Sequence, residues 1–162
     1  MTDWRERLNP QLHMVWHGTW RPGTLEPPRL LYDHELVVVT RGVCAMEVEG
    51  RWLTCQAPYF VIVPPLCRHL TLTESETTRY CAHFDWECRR TVTPEALYYF
   101  WPDRPPARAV CPAPDWVPAP LPVHGPLPAG SPVLSLVQTL AARWLEDDPL
   151  PRATGRALLL EI

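Results

Sequence analysis

The sequence predicts a mainly β protein, a small antiparallel β-barrel or sandwich followed by two α-helices. Three observations carry that expectation. Short apolar runs recur at close, even spacing from Asp33 to Trp86, each broken by turn residues, as in small barrels and sandwiches. Glu49-Gly50 supplies a two-residue hairpin turn, with Gly where positive φ is needed. Beyond Ser131 the apolar period becomes helical, with Leu134, Val137, Ala141, Trp144 and Leu145 recurring on one face.

Taken in order, residues 1–28 read as an N-terminal arm. Leu12, Met14 and Trp16 alternate as a first strand does, and Trp20 and the turn-like Arg21-Pro22-Gly23 follow. Residues 29–101 form the barrel core. The polar stretch Thr73 to Thr78 reads as its next turn. A turn centred near Glu76 places His69 opposite His83 on paired strands. Cys67, His69 and Thr71 then share a face with Arg79, Cys81 and His83. Residues 102–131 are a Pro-rich crossover. Eleven Pro fall between Pro102 and Pro132, which excludes central strands and leaves an extended segment wrapping the barrel or a flexible linker.

Residues 132–162 are helical. Ser131 is an N-cap and Pro132 opens the first turn. The first helix is expected over Pro132 to Glu146 and ends at Asp147-Asp148-Pro149. Pro151 opens a second, with Ala157, Leu158 and Ile162 on one side. That helix carries no stop signal, which sets up the expectation of a chain cut short of a further domain.

Composition narrows the class. A chain of 162 residues suits one domain, and 46% apolar residues with eight Trp argue for a folded core. No apolar run approaches the roughly 20 residues of a membrane span. The charged start Met1-Thr2-Asp3-Trp4-Arg5-Glu6-Arg7 lacks the apolar core of a signal peptide, so a cytoplasmic location is expected. The six Cys are then read as reduced thiols, and they show no CxxC pair. All fifteen basic residues are Arg, and Pro and Ala are abundant, as a biased codon usage produces, so abundance alone marks no Arg as functional. A net charge of −3 without a basic cluster argues against nucleic-acid binding by this chain itself.

The order of the pieces is more specific than any one of them. A strand ending in Arg41-Gly42 precedes the Glu49-Gly50 hairpin. Phe60-Val61-Ile62-Val63 closes on Pro64-Pro65, His69 follows, and then comes His83-Phe84-Asp85-Trp86. This set resembles the cupin-type sensor domain of AraC-family bacterial transcription regulators, over about Trp16 to Trp86 and more weakly through the two helices. The resemblance implies a cupin-like barrel of the double-stranded β-helix type that binds a small-molecule effector and has no cofactor and no enzymatic activity. It also implies a homodimer that reaches DNA only through a C-terminal helix-turn-helix domain, of which nothing is recognisable here.

The resemblance also bears on metal. Glu35 precedes Gly42 by the interval of the cupin Glu, and His69 follows Pro-Pro where the second cupin motif places its His. The H-x-H pair falls on Pro28, Arg29, Leu30 and Leu31, so two of four ligands are missing. The positions from which the family contacts its effector hold Trp16, Trp20, Arg29, His69, Thr71, Arg79, Cys81 and His83. Trp suits stacking and Arg suits bidentate pairing with an anion. The first helix, through Leu134, Val137, Ala141 and Trp144, is the candidate dimer element, with simple packing on the barrel as the alternative. Other readings are a zinc site at Cys67, His69, Cys81 and His83, a stand-alone metal-dependent dioxygenase or isomerase, and a scaffold whose barrel is filled by side chains. The sequence departs from the family at Pro58-Tyr59, Leu66 and Arg68, where Gly-Asp, Gly and Pro are usual, so turns of different shape are expected there.

Overall fold

A computed structural model describes residues 8–87, 110–116, 123–145 and 151–161. Within them the alternating runs form β1 (Gln11–Trp20), β2 (Leu25–Arg29), β3 (His34–Arg41), β4 (Val43–Val48), β5 (Arg51–Gln56), β6 (Tyr59–Val63), β7 (His69–Thr73), β8 (Thr77–Asp85) and β9 (Val123–Pro126). Helices α1 (Pro132–Leu145) and α2 (Pro151–Glu161) follow.

The strands build two antiparallel sheets, ordered β1-β8-β3-β6-β9 and β2-β7-β4-β5. From β1 to β8 successive strands switch sheets except at the β4–β5 hairpin. This interleaving is the jelly-roll or double-stranded β-helix layout of the cupin-like barrel. The hairpin turns at Glu49-Gly50, where φ is 49° and 77°. Both are left-handed values, as a two-residue hairpin turn requires.

Alternation sorts the side chains into two layers. Inward-facing Val37, Val39, Cys44, Met46, Val48, Cys55, Val61, Val63 and Cys81 fill the barrel, with Trp16 and Tyr59 packed against them. Leu12, Val15, Leu36, Val38, Ala82 and Phe84 point out of the larger sheet and receive Val137, Leu140 and Ala141 of α1. The larger sheet is therefore covered on both faces.

Ser131 caps α1 as expected, its Oγ accepting from Val133 N at 3.4 Å. The face proposed for dimerisation is turned onto the chain's own barrel. Val137 and Ala141 are buried, and Leu134 and Trp144 pack against the same cluster. On α2 the sheet-facing residues are Gly155, Leu158 and Leu159, while Ala157 is exposed. Ala157 lies off the sheet-facing side because the buried position is Gly155, which carries no apolar signal in the sequence. Glu146, Asp147, Asp148, Pro149 and Ile162 lie outside the described residues, as do 88–101 of the expected core and residues 102–109 and 117–122 of the crossover. The part of the crossover that is described includes β9, which pairs only with the free side of β6, an edge position that tolerates Pro.

Two expectations are corrected. His69 and His83 are not on paired strands: β7 pairs with β2 and β4, and β8 with β1 and β3. The polar link at residues 74–76 is an arch between sheets, and a polar turn alone does not distinguish an arch from a hairpin. Leu66 keeps the left-handed shape that Gly would give, with φ of 62°, at a steric cost of about 1–2 kcal/mol.

Candidate functional site

The barrel interior has an apolar half and a polar half. The middle of β3 and strands β4, β5 and β6 supply the apolar side chains. Strands β2, β7 and β8 supply Glu26, Arg29, His69, Thr71, Arg79 and His83, joined by Asp33 and Glu35 around the start of β3. Apart from Glu26, which is 20% exposed, these side chains are all buried.

Glu35 is the hub. Its Oε2 lies 3.2 Å from His69 Nε2 and 3.4 Å from Arg29 Nη2, and its Oε1 lies 3.7 Å from His83 Nε2. Burial pushes its carboxyl up, but Arg29, His69 and His83 together outweigh that and hold it well below the usual carboxylate range. His69 is clamped from its other side, with Nδ1 2.9 Å from the Cys67 carbonyl. His83 Nδ1 lies 3.2 Å from Asp33 Oδ1. Burial pushes His83 down, yet Asp33 and then Glu35 raise it above its ordinary value. When His83 is neutral its Nε2 accepts from Trp16 Nε1 at 3.5 Å. When it is protonated the same nitrogen donates toward Glu35 instead.

A second carboxylate site adjoins the first. Glu26 takes a two-point grip from Arg79, with Nη1 donating to Oε2 at 3.0 Å and Nη2 2.8 Å from Oε1. Arg29 Nη2 lies 3.6 Å from the same Oε2. The Arg79 guanidinium sits 4.3 Å from the centre of the Trp20 ring, and Trp20 meets Trp16 edge-on at 5.3 Å. Gly18 makes room for this: a Cβ there would stand 2.8 Å from the Trp20 ring. The charges balance, because three carboxylates (Glu26, Asp33 and Glu35) face two guanidiniums and, when His83 is protonated, one imidazolium. Buried charges are tolerated only when paired in this way.

All eight side chains expected to contact an effector belong to this half or border it. Arg29, His69, Thr71, Arg79, Cys81 and His83 are buried, and Trp16 and Trp20 are half-buried. Sequence reasoning missed Glu26 and Asp33. Glu26 stands before Pro27-Pro28 and reads as loop, and Asp33 reads as a turn residue ahead of a strand. It also missed the buried pair of His13 Nε2 and Asp85 Oδ2 at 2.9 Å, made at an irregularity in β1 between Leu12 and Met14.

The residues do not fit the metal that cupin enzymes hold. Leu31 is buried and has no donor atom, and the Arg29 guanidinium is seated against Glu35 where a cation would have to enter. Among the described residues no group of three or more His, Cys, Asp and Glu is arranged to hold an ion. The zinc quartet does not assemble. Burial and then Glu49 push the Cys67 thiol up to about 12. Burial and the nearby Glu35 raise Cys81 well above its ordinary value.

No protein-family model matches the chain, and no curated protein matches it. Solved structures that share part of the layout include a conserved protein of unknown function from Streptococcus pyogenes. Its TM-score is 0.45 at 8% identity, over 49% of this chain and 68% of that one. A cupin superfamily protein from Desulfitobacterium hafniense gives 0.43 at 8% identity, over 45% and 66%. Salicylate 1,2-dioxygenase from Pseudaminobacter salicylatoxidans gives 0.43 at 16% identity, over 45% of this chain and 21% of that one, so the chain spans about a fifth of that enzyme. The fold assignment stands on the strand order and register themselves.

Proposed function

We propose that this chain is the effector-sensing domain of an AraC-like transcription regulator, with a small molecule bound in the polar half of the barrel and DNA contacted by a separate helix-turn-helix domain. One observation carries the reading: Arg29, which the resemblance places where a metal-dependent cupin has a ligand, is seated on Glu35. The site keeps polar groups that orient a ligand but has exchanged the metal for a fixed guanidinium.

The packing supports a route outward. Cys81 and His83 face the interior, and Ala82 between them faces α1, touching the cluster of Val137, Leu140 and Ala141. A ligand that moves β8 therefore moves the helix seat by one residue's reach. It biases the regulator only through unequal affinity for the two arrangements.

The test is a thermal-shift screen of sugars, aromatic acids and amphipathic cations on the purified chain, with native mass spectrometry for oligomeric state. The reading predicts a dimer, and a ligand whose stabilisation is lost in His69→Ala. Turnover dependent on one equivalent of iron, manganese or nickel would overturn it in favour of a cupin enzyme.

A further inference from the structure

Glu26 is held as a bound carboxylate would be. Two buried guanidiniums converge on it: Arg79 Nη1 donates to Oε2 at 3.0 Å with Nη2 2.8 Å from Oε1, and Arg29 Nη2 lies 3.6 Å from Oε2. The Arg79 side chain is fully buried and backed by the Trp20 face. Directly across the strand pair from Glu26 lies Thr71, whose hydroxyl is buried and has no hydrogen-bond partner. An unused donor beside a two-point carboxylate grip marks a place for one more acceptor oxygen.

The strand that carries Glu26 is held from one side only. β2 is the edge of its sheet and pairs only with β7, at Leu25, Glu26 and Arg29, with an irregularity between the last two. Pro27 and Pro28 have no N–H to give to the ladder, and both are exposed, as is Leu25. Glu26 can therefore leave while Arg79, anchored in the middle of β8 between β1 and β3, stays in place.

We infer that Glu26 is an internal stand-in for the ligand, and that the effector is a small organic carboxylate with an apolar body. Its carboxylate replaces that of Glu26 on Arg79 and accepts from Thr71, and its body lies against Trp16 and Trp20. The inference rests on the sensor reading above and names the chemical class that the sensor takes. Binding exchanges one carboxylate for another on Arg79, so the charge balance at Arg79 is kept while the Leu25–Glu26 end of β2 is released and Arg29 stays on Glu35.

Calorimetric titration of the chain with benzoate, and with benzamide as its neutral counterpart, tests this. Glu26→Ala removes the competitor, so benzoate affinity rises about tenfold over the unmodified chain while benzamide does not gain. Thr71→Val, an isosteric change that keeps the fold, weakens benzoate binding to the Glu26→Ala chain several-fold. Equal gains for benzoate and benzamide, or no benzoate binding to Glu26→Ala with its melting transition intact, overturn the inference. A neutral ligand that stabilises the chain through His69 while benzoate fails would leave the sensor reading standing and remove only the carboxylate. Failure of every ligand in both chains would remove both.

Discussion

The two halves of the barrel interior hold together for different reasons. Val37, Val39, Met46, Val61 and Val63 are fully buried and need nothing but close packing. Across from them Glu26, Arg29, Asp33, Glu35, Arg79 and His83 return little net stability, because desolvating the charges offsets most of what their pairing returns. A barrel of this size could have been stabilised more simply with apolar side chains throughout. The polar half is therefore where selection for something other than stability is expressed.

The sharpest break of that comparison removes one charge and then its partner. Arg29→Met leaves Glu35 buried without its guanidinium and is expected to cost about 3–5 kcal/mol in chemical denaturation. Adding Glu35→Leu should return most of that loss, because an apolar pair replaces an ionic one. If the double variant is as unstable as the single one, the pair contributes to stability after all. In the apolar half, Met46→Ala is expected to cost about 3 kcal/mol from lost burial and cavity alone. That loss should not change between low and high salt.

Acid and base separate the halves further. His83 has a raised pKa in the fold, so its contribution is fully present below the ordinary value of 6.5 and is lost as pH rises through the raised value. His34 lies on the outer side of β3 beside Phe84 and Trp86, and burial lowers its pKa to about 4. The unfolded chain takes up that proton first, so stability falls as pH drops from about 6.5 to about 4, by about 1.4 kcal/mol per unit. Glu35, with its lowered value, contributes fully above its ordinary value of 4.5 and gives way as pH falls below it. Unfolding free energies across pH should show an acid limb flattened by His34→Leu and an alkaline limb flattened by His83→Asn. If His34→Leu leaves the acid limb unchanged, the burial assigned to that ring is wrong. The smallest effect is expected at Trp52, which is 57% exposed on the open face of the smaller sheet. Trp52→Ser should move stability by no more than about 0.5 kcal/mol.

Much of the architecture was legible in the chain. Strand alternation, the Glu49-Gly50 turn and the Ser131-Pro132 cap are local rules, and local rules survive folding. The inward face of β7 and β8 was also readable, because alternation fixes the face whatever the strand pairs with. Which strand pairs with which was not readable. An arch and a hairpin use the same polar residues, so His69 and His83 were placed side by side when they meet across the interior. Glu26 escaped for a related reason. Its meaning comes from Arg79, 53 residues later, and from nothing in Leu25-Glu26-Pro27-Pro28 itself.

On the proposed reading the Arg29 guanidinium, seated on Glu35, stands where the resemblance puts a metal ligand. Native mass spectrometry of the chain after incubation with zinc, manganese, nickel and ferrous ions, beside Arg29→Ala and Glu35→Gln, tests it most directly. The account predicts no stoichiometric metal on the unmodified chain and a gain of metal affinity in Arg29→Ala, where Glu35, His69 and His83 are released from the arginine. One equivalent of metal on the unmodified chain, lost in Glu35→Gln, would contradict it.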